Sequence, residues 1–229
     1  MADNLPFADS DDLSSDIPSP FNPIPYTLVN SRPLTNTPFV APYVPVSRLV
    51  TSSALHFAGI GPTDILVDLG CGDGRILIDA LCDSCTPDND HIETHQIYPP
   101  AQCIGVELDP YLAAFIRKTN PSLISNNKLV IIEQDMFTVD LEAIKATVIV
   151  MYLLPAGLEK LKPLLSAWLS RNDVDTSQPT RRIVTIAYSI PGWQPIQVKQ
   201  SNMSSNSFMG GAATPIHCLF RYEAVSICN

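Results

Sequence analysis

The sequence predicts a doubly wound α/β domain built on a seven-stranded, mostly parallel sheet. Short apolar runs alternate with amphipathic helices through five successive units. Each run is apolar almost throughout, as expected where helices cover both faces of a sheet. After Pro191 the alternation stops, and two further strands follow with no helix between them.

The elements follow in order. Ser47–Ala58 has helical spacing and presents Leu49, Val50, Ala54, Leu55 and Ala58 on one face, ending at Gly59-Ile-Gly61-Pro62. Ile65–Asp68 is a buried strand, followed by glycines and the apolar-rich helix Arg75–Cys82. Gln102–Glu107 is the second strand, with helix Tyr111–Lys118 after it. Lys128–Glu133 is the third and Ala146–Tyr152 the fourth; a long helix then passes through Leu158, Leu161, Leu164, Leu165 and Trp168. Arg182–Tyr188 is the fifth strand. Ile196–Gln200 and Ile216–Val225 complete the sheet as a hairpin-like antiparallel pair, joined by the Ser/Asn/Gly-rich loop 201–214. The whole is a Rossmann-like layout.

Size and charge bound the rest. The chain has 229 residues, 45% of them hydrophobic, enough for one sizeable domain. Residues 1–38 are rich in Asp, Ser, Pro and Asn, and nine of the 21 prolines fall by position 45. Such a segment buries too little apolar surface to offset its ordering entropy and is expected to be disordered. The domain is therefore placed at residues 39–229, with residues 83–101 as an inserted loop. No apolar run approaches the ~20 residues needed to span a bilayer. A net charge of −9 repels polyanions, which disfavours nucleic acid as a partner. Six cysteines in a chain this long make no disulfide framework. The acidic N-terminal stretch, with Arg32 its first basic residue, is unlike a presequence. Cytoplasm, or else the nucleus, is the expected compartment.

In doubly wound sheets ligands bind outside the carboxyl ends of the strands, near the switch in strand order. There the first strand runs into Asp68-Leu-Gly70-Cys-Gly72-Asp-Gly74-Arg75. Glycines allow a tight turn and close backbone approach, and the following helix offers free N–H groups to an anion. A dinucleotide fingerprint spaces its glycines GxGxxG; here they stand at 70, 72 and 74, which disfavours a nicotinamide-dependent oxidoreductase. Asp68 suits a ligand with a positive ammonium group. Methionine's amine and carboxylate together match Asp68 and the loop N–H groups. Glu107 ends strand two, where a carboxylate can accept from two ribose hydroxyls. Asp135, after strand three, can accept from an adenine amino group, with Met136 in apolar contact. Taken alone, Glu107 or Asp135 is more often a solvated strand-end or helix-capping residue. Three acids at successive strand ends form a pattern, and it fits S-adenosylmethionine.

The chain resembles the seven-β-strand S-adenosylmethionine methyltransferases. More closely, it is similar to the protein-lysine methyltransferases that include the ATP synthase c-subunit and adenine nucleotide translocase enzymes and broad-specificity archaeal relatives. The resemblance is carried by the cofactor motifs and by four further segments. These are Pro42-Tyr-Val-Pro45, Gly72-Asp-Gly-Arg-Ile76, Ala146-Thr-Val-Ile-Val-Met-Tyr-Leu-Leu-Pro155 and Ile190-Pro-Gly-Trp-Gln-Pro195. It implies a lysine-bearing protein substrate, with Tyr152 facing the transferred methyl and Tyr43 closing over the site. The alternative for both tyrosines is packing alone. Val46 stands where these relatives tend to carry a hydroxyl residue. A small molecule or nucleic acid as methyl acceptor, and a cofactor-binding protein without turnover, are the other readings. Strand four runs into Met151-Tyr-Leu-Leu-Pro155 and lacks the Asn/Asp-Pro-Pro-Tyr that holds a flat base amine. Cys82, Cys85, His91 and His95 have zinc-like spacing within each pair, but only five residues separate the pairs, so no metal is expected. His56 and His217 read as ordinary packed or surface histidines, and Trp193 as a structural plug.

Overall fold

The computed structural model describes residues 44–82, 98–170, 180–201 and 217–224. The N-terminal segment 1–38, Tyr43, most of the inserted loop, Cys85, His91 and His95 lie outside the described residues.

Seven strands form one sheet. They are β1 (Ile65–Leu69), β2 (Gln102–Glu107), β3 (Leu129–Glu133), β4 (Val148–Met151), β5 (Arg182–Ile186), β6 (Gln197–Ser201) and β7 (His217–Tyr222). Their order across the sheet is β3-β2-β1-β4-β5-β7-β6. The first five are parallel; β7 runs antiparallel to β5, and β6 antiparallel to β7. The order reverses between β1 and β4, so the ligand crevice of a doubly wound sheet falls at the glycine turn.

Alternate residues of each strand enter two cores. Leu66, Val148, Val150 and Val184 face α1 (Arg48–Ala58), α2 (Arg75–Leu81) and α3 (Pro110–Thr119). Val67, Leu69, Ile149, Met151 and Ile183 face α5 (Pro155–Leu169). A short helix, α4 (Pro121–Ser125), follows α3 and buries no residue fully. Its five residues carry too little periodicity to be read beforehand.

Several boundaries differ from the sequence reading. Leu49 is not on the buried face of α1; it is 63% exposed, and Thr51 is buried instead. Positions 50, 54 and 58 with 51 and 55 are the stripe that 100° steps place together. Thr51 tolerates burial because its hydroxyl donates to the Ser47 carbonyl at 3.2 Å. β4 begins two residues later than expected, because the Thr147 hydroxyl donates to Asp64 and accepts from the Ile65 N–H. β5 ends at Ile186: Ala187 has φ +70°, a left-handed bend that takes the chain out of the strand.

A buried ion pair ties the amino ends of the strands together. Arg182, which opens β5, meets the Asp64 carboxylate at 2.6 Å and also donates to the carbonyls of Ala58 and Gly59. Asp64 further accepts the Gly61 N–H at 2.8 Å. Both charges are thus compensated out of water.

Candidate functional site

At the carboxyl end of β1 the chain bends sharply. The N–H groups of Gly70 and Cys71 both donate to the Val106 carbonyl on β2, at 2.8 and 3.1 Å. Gly70, Gly72 and Gly74 have φ of +80°, +60° and +77°, values that a side chain makes costly. Close approach explains one glycine further on. A Cβ on Gly105, in β2, would lie 2.6 Å from the Cys71 sulfur.

Glu107 organises the turn from below. Its Oε2 accepts the Gly72 N–H and its Oε1 the Asp109 N–H, each at 2.8 Å. Burial raises its pKa, while these backbone donors pull it down. Asp68 is only 2% exposed. Burial, reinforced by Glu107 and then Asp73, pushes its pKa well above the usual carboxylate range. A buried carboxyl beside two other acids is electrostatically incomplete; a cation there would stabilise its ionised form.

Asp135 lies at the third strand end. Its Oδ1 accepts the Phe137 N–H at 3.0 Å and caps the short 3-10 turn Met136–Thr138. Met136 reaches the glycine turn, its sulfur 3.6 Å from where a Gly70 Cβ would stand, and Leu153 approaches the same point at 3.3 Å. The register puts Asp68 opposite Gly105 and Glu107 opposite Glu133, so the three acids belong to neighbouring strand ends. Sequence spacing alone could not show that adjacency.

On the other side of the switch stands Tyr152, half-buried just past β4. Its phenol is pushed above its ordinary value by burial and then by Tyr188. Its ring meets His217 edge-to-face, with centroids 6.0 Å apart. Among the described residues no group of three or more His, Cys, Asp or Glu side chains is placed to hold a metal ion.

Comparison with known proteins is decisive at this point. A family profile described as the ANTKMT methyltransferase domain matches residues 68–197. A protein-lysine N-methyltransferase of Saccharolobus islandicus (strain REY15A) is 31% identical over 174 residues, covering 73% of this chain and 91% of the relative. The chain belongs to the ANTKMT methyltransferase family. A Salinibacter ruber RNA methyltransferase solved with S-adenosyl-L-homocysteine has a TM-score of 0.56 and 26% identity, covering 78% of this chain and 92% of its own. The precorrin-6y C5,15-methyltransferase of Geobacter metallireducens GS-15, 14% identical with TM-score 0.53, covers 80% of this chain and 91% of its own and shares the fold. This methyltransferase therefore uses S-adenosylmethionine as its methyl donor. The residues present fit that cofactor, since a positively charged group such as its ammonium would stabilise a carboxyl buried beside two other acids, as Asp68 is.

Three features of the methyltransferase's site escaped the sequence reading. Arg75 clamps Asp73, donating from Nε to Oδ1 at 2.9 Å and from an η nitrogen to Oδ2 at 2.6 Å. Its other η nitrogen donates to the Val46 carbonyl at 2.6 Å, fastening the segment after Tyr43 to the glycine turn. Carboxylate and guanidinium two residues apart in the motif were the available signal. Tyr188 follows β5 at a strand's carboxyl end, and so was legible by the rule that exposed Tyr152. His217 was not, because its position depends on the direction of β7. Trp193 packs edge-on against Tyr222 at 5.9 Å, in keeping with a structural role.

Proposed function

We propose that this methyltransferase acts on the ε-amine of lysine in a protein. The observation that carries the reading is the likeness to the S. islandicus protein-lysine enzyme across nearly that protein's whole length. The site supports it. The half-buried phenol of Tyr152 gives the rim an aromatic wall, suited to an alkylamine that carries charge before reaction and a methyl after it.

In this reading Asp68 receives the cofactor's ammonium, and the turn, whose glycines at 70, 72 and 74 have positive φ and let the backbone approach closely, lies against its carboxylate. The ribose hydroxyls donate to Glu107, whose carboxylate oxygens keep acceptor capacity beside their backbone bonds. Asp135 accepts from the adenine amine, and Met136 packs on the ring beside Gly70. The cofactor supplies an electrophilic methyl group on a sulfonium. Tyr152 lines the path of the incoming amine, and Arg75 anchors the chain at Val46 beside the glycine turn. Orientation and desolvation within this wall supply the rate. The cytoplasm is the proposed compartment; among the described residues no helix is long and apolar enough to cross a membrane.

The test is incubation of the purified chain with methyl-labelled cofactor and whole-cell lysate, followed by hydrolysis of the protein fraction. Label recovered as methyl-lysine supports the proposal. Label found only in RNA, the acceptor class in the name of the S. ruber structure, or only in small metabolites, rejects it.

A further inference from the structure

In a wholly parallel sheet, the rim above β5 receives only residues that follow strand ends. β7 breaks that rule. Because it runs against β5, its first residue, His217, arrives at the rim where Tyr152 stands. The next residue fixes the height: the Cys218 carbonyl accepts the Ala187 N–H at 2.8 Å, at the left-handed bend that ends β5. The imidazole meets the Tyr152 ring with planes at 87° and is itself half-buried, so it borders both the aromatic wall and solvent.

Methyl transfer to an amine poses a chemical demand that the cofactor-binding acids do not meet. A free lysine has a pKa of ~10.4 and arrives as ammonium, with no lone pair to give. Desolvation and a neighbouring positive charge disfavour that form. The departing proton still needs an acceptor on the substrate side. Asp68 and Glu107 sit beneath the glycine turn, at the cofactor's end of the site. The titratable groups brought to this rim from β4 and β5 are Tyr152 and Tyr188. Burial raises the Tyr152 phenol, which keeps it protonated. An imidazole is the side chain that exchanges protons near neutral pH.

We infer that His217 is the proton acceptor for the lysine ammonium. This inference rests on the lysine reading above. The proton passes from the ammonium nitrogen to an imidazole nitrogen and from there to water. The freed lone pair forms the new N–C bond as the methyl's bond to sulfur breaks, its electron pair staying on sulfur. Contact with Tyr152 orients the ring for this exchange.

Three measurements test it: cofactor affinity by calorimetry, methyl-lysine formation on lysate protein, and the His217 ring resonance in the S-adenosylhomocysteine complex titrated with n-butylammonium. His217→Ala is expected to lower the rate by ~10²-fold or more, the usual contribution of a positioned base, with cofactor affinity within about twofold of wild type. Added imidazole should restore about a tenth or more of the lost rate, and the His217 resonance should shift saturably with butylammonium but not with butanol. A rate within about threefold of wild type, a loss that imidazole does not relieve, or an unmoved resonance overturns the inference. If His217→Ala no longer binds cofactor, His217→Gln and the wild-type resonance decide by the same criteria. A wild-type chain that labels no lysine sinks the lysine reading instead. A wild type that labels lysine beside an unimpaired His217→Ala removes this inference alone.

Discussion

Glu107→Gln separates the two roles that one carboxylate performs. The change preserves volume and shape but replaces one oxygen by an NH2 group. In the present structure each oxygen accepts a backbone N–H at 2.8 Å, from Gly72 and from Asp109. Whichever way the amide is turned, its nitrogen faces one of those donors. One buried N–H then loses its acceptor, which costs about 1–3 kcal/mol. Part of that is returned, because burial is the largest cause of the raised pKa at Glu107 and a neutral amide removes it. A net loss of about 1–2 kcal/mol lowers Tm by roughly 2–8 °C for a chain of this size. Cofactor binding should suffer separately. If the ribose hydroxyls donate to both oxygens, one of two charge-assisted bonds disappears, worth about 1.5–3 kcal/mol. At 1.4 kcal/mol per decade this weakens binding about 10- to 100-fold. Calorimetric titration with S-adenosylhomocysteine measures the second effect and thermal unfolding the first. A variant that melts lower yet binds within twofold of wild type would show that Glu107 shapes the turn and does not hold the ribose.

Three further predictions use different parts of the molecule. Asp68 has a raised folded-state pKa, so its protonated form stabilises the cofactor-free fold; that contribution is full below the unfolded carboxyl range and fades as pH rises through the folded value. The cofactor's ammonium favours the ionised form, so between those limits binding should release a proton, giving buffer-dependent calorimetric heats that vanish in Asp68→Asn; heats independent of buffer refute the pairing. Gly105→Ala should destabilise by about 1–3 kcal/mol through overpacking against Cys71, Leu77 and Ile131. Chemical denaturation should find much of the loss restored in Gly105→Ala with Cys71→Ala, and strictly additive losses contradict the contact. Asp64→Ala strands the buried Arg182 guanidinium and should cost about 3–5 kcal/mol in denaturant unfolding, whereas the folded variant's cofactor affinity stays unchanged because the pair lies at the strands' amino ends.

Much of this site was legible because strand periodicity and the rim rule are both local. Asp68, Glu107, Asp135 and Tyr152 could each be placed at a strand's carboxyl end from the apolar run preceding it. What lies between those ends was not legible. Nothing in the sequence says that the Glu107 oxygens are already engaged by the N–H groups of Gly72 and Asp109, since that depends on how the turn folds back over β2. Gly105 reads as an ordinary strand glycine until Cys71 is placed against it. Leu49 failed for a milder reason. A polar Thr51 was passed over as a core position, although a hydroxyl that donates to the preceding turn can be buried without penalty.

The larger gap concerns strand direction. Five parallel strands deliver only their last residues to the rim, so reading strand ends finds only half of what a mixed sheet can place there. An antiparallel partner of β5 delivers its first residue, and for that residue hydrophobic patterning has no sign. His217 opens an apolar run, and before the pairing of β7 with β5 is known that looks like burial at the edge of a strand. The bend at Ala187 completes the arrangement, because it ends β5 at the level where the Cys218 carbonyl can accept and where the imidazole reaches the Tyr152 ring. If His217 acts as proposed, substrate-side chemistry in this protein is set by the terminal hairpin, and cofactor-side chemistry by the first three strand ends. The hairpin can thus change its acceptor residue while the three acids keep their geometry.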